Sequence, residues 1–218
     1  KKEAKILFEA GIDIITTGNH IWDNWYSKPL LKDNPKVLRP FNYPSGNIGK
    51  GFYILELEDD ISLCVANIQG RTFMQSIDCP FKAIDFIIKT LGETTKNIIV
   101  DFHADATAEK IAMGWHLDGR VSAVVGTHTH IPTSDASILP SGTAYITDVG
   151  MTGPFDSVVG LKKEVALKRF TLQIPHKYEM AEDDPRLCAV NIIINKYTGL
   201  ADSIEQIILP KFENGINH

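Results

Sequence analysis

Four histidines and one asparagine stand where an α/β chain collects its chemistry. Asn19 and His20 follow one short β-branched run, His103 ends a second, and His128 and His130 follow a third. In open α/β sheets the carboxyl ends of strands gather functional groups, because loops converge there while the strands hold them rigid. Within Thr127-His128-Thr129-His130, residues i and i+2 of an extended segment point to the same side, so both imidazoles can reach one cluster. Neutral imidazole suits Zn, Fe, Mn and Ni, and an Asn carbonyl is a hard oxygen donor that biases a mixed N/O site toward Mn or Fe. His-x-His alone leaves an amidohydrolase-type zinc site open. His116, inside an amphipathic helix, is read as a hydrogen-bonded structural residue, and His176 and His218 in the tail carry no functional weight.

The elements that must position these groups follow from periodicity. Residues 12–16, 62–68, 97–102, 121–126 and 143–148 are short β-rich runs and are expected as strands. Residues 81–90 and 107–117 carry apolar side chains at helical spacing and are expected as helices. Ala4, Leu7 and Phe8 place a further helix at the start of the sequence, stopped at Gly11. Residues 28–51, rich in Pro, Asn, Gly and Lys, are expected as a long ordered loop. Residues 169–173 and 187–195 alternate like strands. A turn at 196–199 into 202–209 predicts a β-hairpin closing one edge of the sheet, and the residues from Lys211 onward should fray. Strands alternating with helices mean an α/β fold with layered sheets, and no linker splits residues 1–218 into more than one domain.

Composition narrows the function classes. The chain has 218 residues, 44% hydrophobic and 22% charged, enough to build an ordinary core. A formal net charge of −5 gives no electrostatic footprint for gripping nucleic acid nonspecifically, so a nucleotide must be recognised locally. No apolar run approaches the ~20 residues of a membrane span. Cys64, Cys79 and Cys188 are odd in number and widely spaced, which fits a reducing cytoplasm better than a disulfide framework.

Gly18-Asn19-His20, the single His103 after a strand, and Gly126-Thr127-His128-Thr129-His130 occur in that order. Together they resemble the third, fourth and fifth motifs of the calcineurin-like metallophosphoesterases. The surrounding text, Thr16 to Asp23, Val100 to Ala104, Asp118 to His130 and Tyr145 to Pro154, is similar to the YmdB-like bacterial branch, along essentially the whole chain. The resemblance implies a layered αββα sandwich and a phosphodiesterase acting on cyclic nucleotides. It implies a binuclear centre of two divalent or mixed-valence ions, Fe or Mn foremost and Zn as an alternative. Asn19, His103 and His128 would ligate one ion and His130 the other, while His20 would stay off the metal as general acid or transition-state stabiliser. Two ions ~3.5–4 Å apart can activate a hydroxide and steady the developing phosphoryl charge, so no covalent nucleophile is required.

The family's opening Gly-Asp motif and its bridging Glu motif have no counterpart in the sequence, and an absent N-terminal segment carrying the first strand or strands is the expectation. One ion would then keep three protein ligands, and the other only His130. A neighbouring strand left unpaired would invite self-association into a homo-oligomer. Asp101 and Asp148 are candidates for orienting the imidazoles, and Arg39 and Arg71 for phosphate contacts or, more simply, surface salt bridges. The reading from a different class is a regulatory or scaffolding component that binds a nucleotide or a protein without turnover.

Overall fold

A computed structural model describes residues 2–212. In chain order the elements are α1 (Lys2–Glu9), β1 (Ile15–Thr16), a 3-10 turn (Asn19–Trp22), α2 (Ser27–Asp33), β2 (Val37–Leu38), β3 (Phe52–Glu56) and β4 (Ser62–Gln69). There follow α3 (Pro80–Leu91), β5 (Asn97–His103), α4 (Thr107–Leu117), β6 (Ala123–Thr127), β7 (Ser137–Ile138) and β8 (Ala144–Ile146). The chain then forms β9 (Gly153–Pro154), α5 (Lys163–Leu172), β10 (Pro185–Ile194) and β11 (Ala201–Leu209).

The centre is a six-stranded mixed sheet in the order β3-β4-β5-β6-β8-β7. β4, β5, β6 and β8 run parallel and the two edge strands antiparallel. The period of two sorts its side chains. Cys64, Ala66, Ile68, Ile98, Val100, Phe102 and Val124 face Ile84, Ile87 and Leu91 of α3 and Met113 and Leu117 of α4. On the opposite face Ile99, Ala123 and Ala144 pack against Ile192, Ala201 and Ile204 of the β10–β11 hairpin. Helices, central sheet and second sheet therefore stack as the layered α/β arrangement the resemblance implies. A smaller cluster of Ile21, Leu31 and Val37, with Phe8 and Ile15, ties α1 and α2 to the parallel β1–β2 pair. No helix among the described residues is long and apolar enough to cross a membrane.

Several expected elements differ. Residues 169–173 are not a strand but the end of α5. Five alternating residues do not settle a period, and the preceding Lys163-Glu164-Val165-Ala166-Leu167-Lys168 are mostly strong helix formers. Gln173 closes that helix in the left-handed region at φ 55°, donating its N–H to Arg169. The segment 28–51 is less irregular than its composition suggests. Ser27–Asp33 is helical because Pro29 lies in the first turn, where its missing N–H costs nothing, and Leu31 is buried. β3 is an element the sequence reading lacks. The hairpin does form, but it joins β9 in a separate three-stranded sheet lying on the face of the central one instead of extending its edge. Of the tail expected to fray, residues 213–218 lie outside the described residues.

Candidate active site

The parallel ladder fixes where the site forms. Gln69, His103 and Thr127 are in register at the carboxyl ends of β4, β5 and β6. His103 shares its face with Asp101 and Thr127, opposite the helices. Thr127 Oγ1 donates to Asp101 Oδ1 at 2.8 Å, so the hydroxyl is left to accept from His103 Nδ1 at 3.0 Å. That chain sets the tautomer: with Nδ1 carrying the proton, Nε2 presents a lone pair. Nε2 lies 2.8 Å from Asn19 Oδ1 and 3.2 Å from His128 Nδ1. The two imidazoles meet edge to face with centroids 4.9 Å apart. Asp101 thus orients His103 through a threonine.

Asn19 reaches this point from the 3-10 turn after β1. The buried Asn67 on β4 donates to Thr17 O at 2.7 Å and so clips the loop to the sheet. Gly18 is required by space: a Cβ there would overlap the His103 ring. His128 and His130 hang on a loop with positive φ values of 109° and 69°, a conformation that costs energy for side chains other than glycine. Asp148 fastens that loop, accepting from Thr129 N at 3.0 Å, Gly150 N at 2.9 Å and Lys110 Nζ at 2.6 Å.

Burial, reinforced by the neighbouring His128 and Lys110, pushes the His103 imidazolium down to about 3, and burial also lowers His128. Both rings are therefore neutral at neutral pH, the form a metal requires. Burial raises Asp101 to about 6 against the hydrogen bonds it accepts. The donor set fits a cation. An acceptor oxygen of Asn19 and the lone pair of His103 Nε2 face each other at hydrogen-bond distance with no proton between them. A positive ion at that point satisfies both, and Asn O with imidazole N suits Mn or Fe.

The remaining candidates lie around this cluster. His130 is exposed, with Nδ1 3.0 Å from Val159 O, and is close enough to His128 for its charge to disfavour protonation there. Among the described residues no three His, Cys, Asp or Glu converge on a metal position; the side chain that meets His103 Nε2 beside His128 is the Asn19 amide. His20 is exposed, and its Nδ1 lies 2.6 Å from Asp23 Oδ2, which leaves Nε2 free. His116 is structural, pairing with Asp85 at 2.9 Å. Arg39 corrects the salt-bridge expectation: it is buried, and its guanidinium donates to the carbonyls of Ile48, Pro40 and Phe41, organising its own loop. Burial pushes the Cys64 thiol up to about 12, which removes it as a nucleophile.

Lys110, Thr127 and Asp23 have supporting positions that motif reading passes over. Each left a signal. Lys110 interrupts the apolar stripe that continues through Met113 and Leu117, and Asp23 stands one turn after His20.

Comparisons with known proteins identify the family. Residues 1–207 match the family described as YmdB-like protein. The chain is 46% identical over 203 residues to the 2',3'-cyclic-nucleotide 2'-phosphodiesterase of Bacillus subtilis, covering 93% of this chain and 76% of that protein. A crystal structure of a hypothetical protein from Thermus thermophilus superposes with a TM-score of 0.89 at 41% identity, covering 95% of this chain and 80% of that one. A crystal structure described as a novel phosphatase from Mycoplasma pneumoniae gives 0.88 at 32% identity, with coverages of 95% and 75%. A family match along nearly the whole length, a near-half-identical relative and a shared fold agree, and this chain belongs to the YmdB-like family.

Proposed function

We propose that this chain is a cytoplasmic, metal-dependent phosphodiesterase acting on cyclic nucleotides, 2',3'-cyclic nucleotides foremost. The observation that carries this reading is the meeting of Asn19 Oδ1, His103 Nε2 and His128 Nδ1 at 2.8 and 3.2 Å, with the His103 Nε2 lone pair facing the Asn19 oxygen. The name of the Bacillus subtilis relative supplies the substrate class.

Asn19, His103 and His128 would hold one ion, and His130 belongs to a second. Bound ions, Fe or Mn foremost, would polarise the phosphoryl oxygens and supply hydroxide for in-line attack. The protein's own residues do the rest. Thr127 and Asp101 keep His103 in the ligating tautomer. Asp148 and Lys110 hold the loop that carries His128 and His130. His20, with Nδ1 engaged by Asp23, turns Nε2 outward to donate a proton to the ribose oxygen released as its bond to phosphorus breaks.

Elemental analysis after reconstitution with Mn or Fe, run beside turnover of a chromogenic aryl phosphodiester, tests this. At least one ion per chain is expected, lost in His128→Ala. A protein that binds no ion with all four ligands present overturns the reading. Because only His130 is assigned here to the second ion, that ion should bind more weakly than the first unless carboxylates are supplied from elsewhere.

A further inference from the structure

β4 ends at Gln69, in register with His103, and Gly70 N donates to His103 O at 2.9 Å. The next residues therefore leave from the rim of the site. Gly70 is a close-approach glycine: a Cβ would stand 2.6 Å from both Ala104 Cβ and Glu109 Oε2. Glu109, in the first turn of α4, accepts from Arg71 N at 3.2 Å and Thr72 N at 3.1 Å. Met74 N returns to Arg71 O at 3.3 Å, closing a tight turn.

At the tip of that anchored turn stands Phe73, with φ 61° and 86% exposed. Both features are costly. A bulky aromatic residue is disfavoured in the left-handed region, and the ring is left in water. No ring pairing among the described residues involves it, so packing within the fold does not offset either cost. Its neighbours in the loop, Arg71, Thr72, Gln75 and Ser76, are exposed and polar, so within the loop Phe73 is a single ring.

We propose that residues 70–74 form the base-recognition loop of this site and that Phe73 is the platform on which the substrate's nucleobase stacks. The inference rests on the nucleotide phosphodiesterase reading and deepens it. One ring on a rigid, prepaid turn beside the catalytic rim matches one base. Because every base has a π-face, the platform tolerates all four. It separates nucleotides from base-free phosphodiesters.

The test uses the full chain, as wild type and as Phe73→Ala, Phe73→Tyr and Phe73→Asn. Calorimetry measures binding of adenosine 3'-monophosphate, and steady-state kinetics compares adenosine 2',3'-cyclic phosphate with the base-free methyl riboside 2',3'-cyclic phosphate. Phe73→Ala should weaken nucleotide binding and raise the nucleotide KM by about tenfold, the scale of one aromatic–base stack. Its kcat, and all constants for the base-free substrate, should be unchanged, and Phe73→Tyr should restore the loss. Phe73→Asn should melt no lower than wild type, since Asn accepts the left-handed backbone. Unchanged nucleotide affinity in Phe73→Ala, or an equal loss on both substrates, overturns the proposal. Wild-type protein that binds the monophosphate but hydrolyses neither substrate overturns the phosphodiesterase reading instead, and the binding arm alone then decides the role of Phe73.

Discussion

Lys110 Nζ lies 2.6 Å from Asp148 Oδ2 with both side chains 1% exposed, and the same carboxylate receives the Thr129 and Gly150 amides. One buried ion pair therefore links α4 to the loop between His128 and His130. Glu109, the preceding residue, holds the loop after β4, so consecutive residues of one helical turn brace two sides of the site. Replacing only the lysine leaves a buried carboxylate without its cation, which typically costs ~3–5 kcal/mol. Lys110→Met should lower the unfolding free energy by about that amount in urea. Adding Asp148→Asn should recover part of it, because the amide oxygen still accepts a backbone N–H without needing a cation. A single-variant loss below ~1 kcal/mol would show that the loop is held by something else.

A second expectation concerns the hydroxyl between Asp101 and His103. Thr127→Val keeps the shape but removes the acceptor for His103 Nδ1 and the donor to Asp101. Such outer partners of ligating histidines are typically worth about 10–100-fold in metal affinity. Equilibrium dialysis against Mn should show a weakening in that range, with an unchanged far-ultraviolet spectrum. Equal affinity would mean that His103 needs no tautomer control here.

How much of this was legible in the sequence depends on distance along the chain. α4 shows the same bounds in sequence and structure, and β4, β5 and β6 agree to within about two residues, because their periodicity is local and strong. The order of Asn19, His20, His103, His128 and His130 was legible for the same reason. What hides is pairing between distant positions. Lys110 is written as a lysine in an apolar stripe, but that its partner is Asp148, 38 residues on, follows only from helix α4 lying over β8. Gly18 looks like a loop glycine, and only the approach of the His103 ring, brought there by β5, explains why no side chain fits. Residues 169–173 misled because alternation over five positions suits either period, and the preceding helix formers decide the matter.

His20 and the proposed metal ligands should separate cleanly in mutagenesis. His20 is exposed and engaged with Asp23, outside the contacts among Asn19, His103 and His128. His20→Ala should therefore lower kcat by about 10²–10⁴-fold, the usual worth of a general acid, while metal content by elemental analysis stays at the wild-type value. Asp23→Asn should cause a smaller fall, because the amide oxygen can still accept from Nδ1 and hold the ring in place. Metal loss in His20→Ala would move that residue into the ligand set.

Acid stability offers a check away from the site. Burial tends to raise the Asp85 carboxyl, but hydrogen bonds from Arg120 and His116, at 2.6 and 2.9 Å, outweigh it and hold the group below the ordinary aspartate range. A carboxylate lowered in the folded state stabilises the fold above its unfolded value, near pH ~3.9, and that contribution disappears as the pH falls through the lower folded value. Because the Asp85 side chain is 42% exposed, solvent screens the pair and its worth should be no more than ~1 kcal/mol. Urea unfolding of wild type and Asp85→Asn should therefore differ by up to that amount at pH 7, and the gap should close as the pH drops below 4 and shrink at high salt. A difference that persists unchanged at pH 3 and in high salt would mean that Asp85 acts through its packing on α3 and not through its charge.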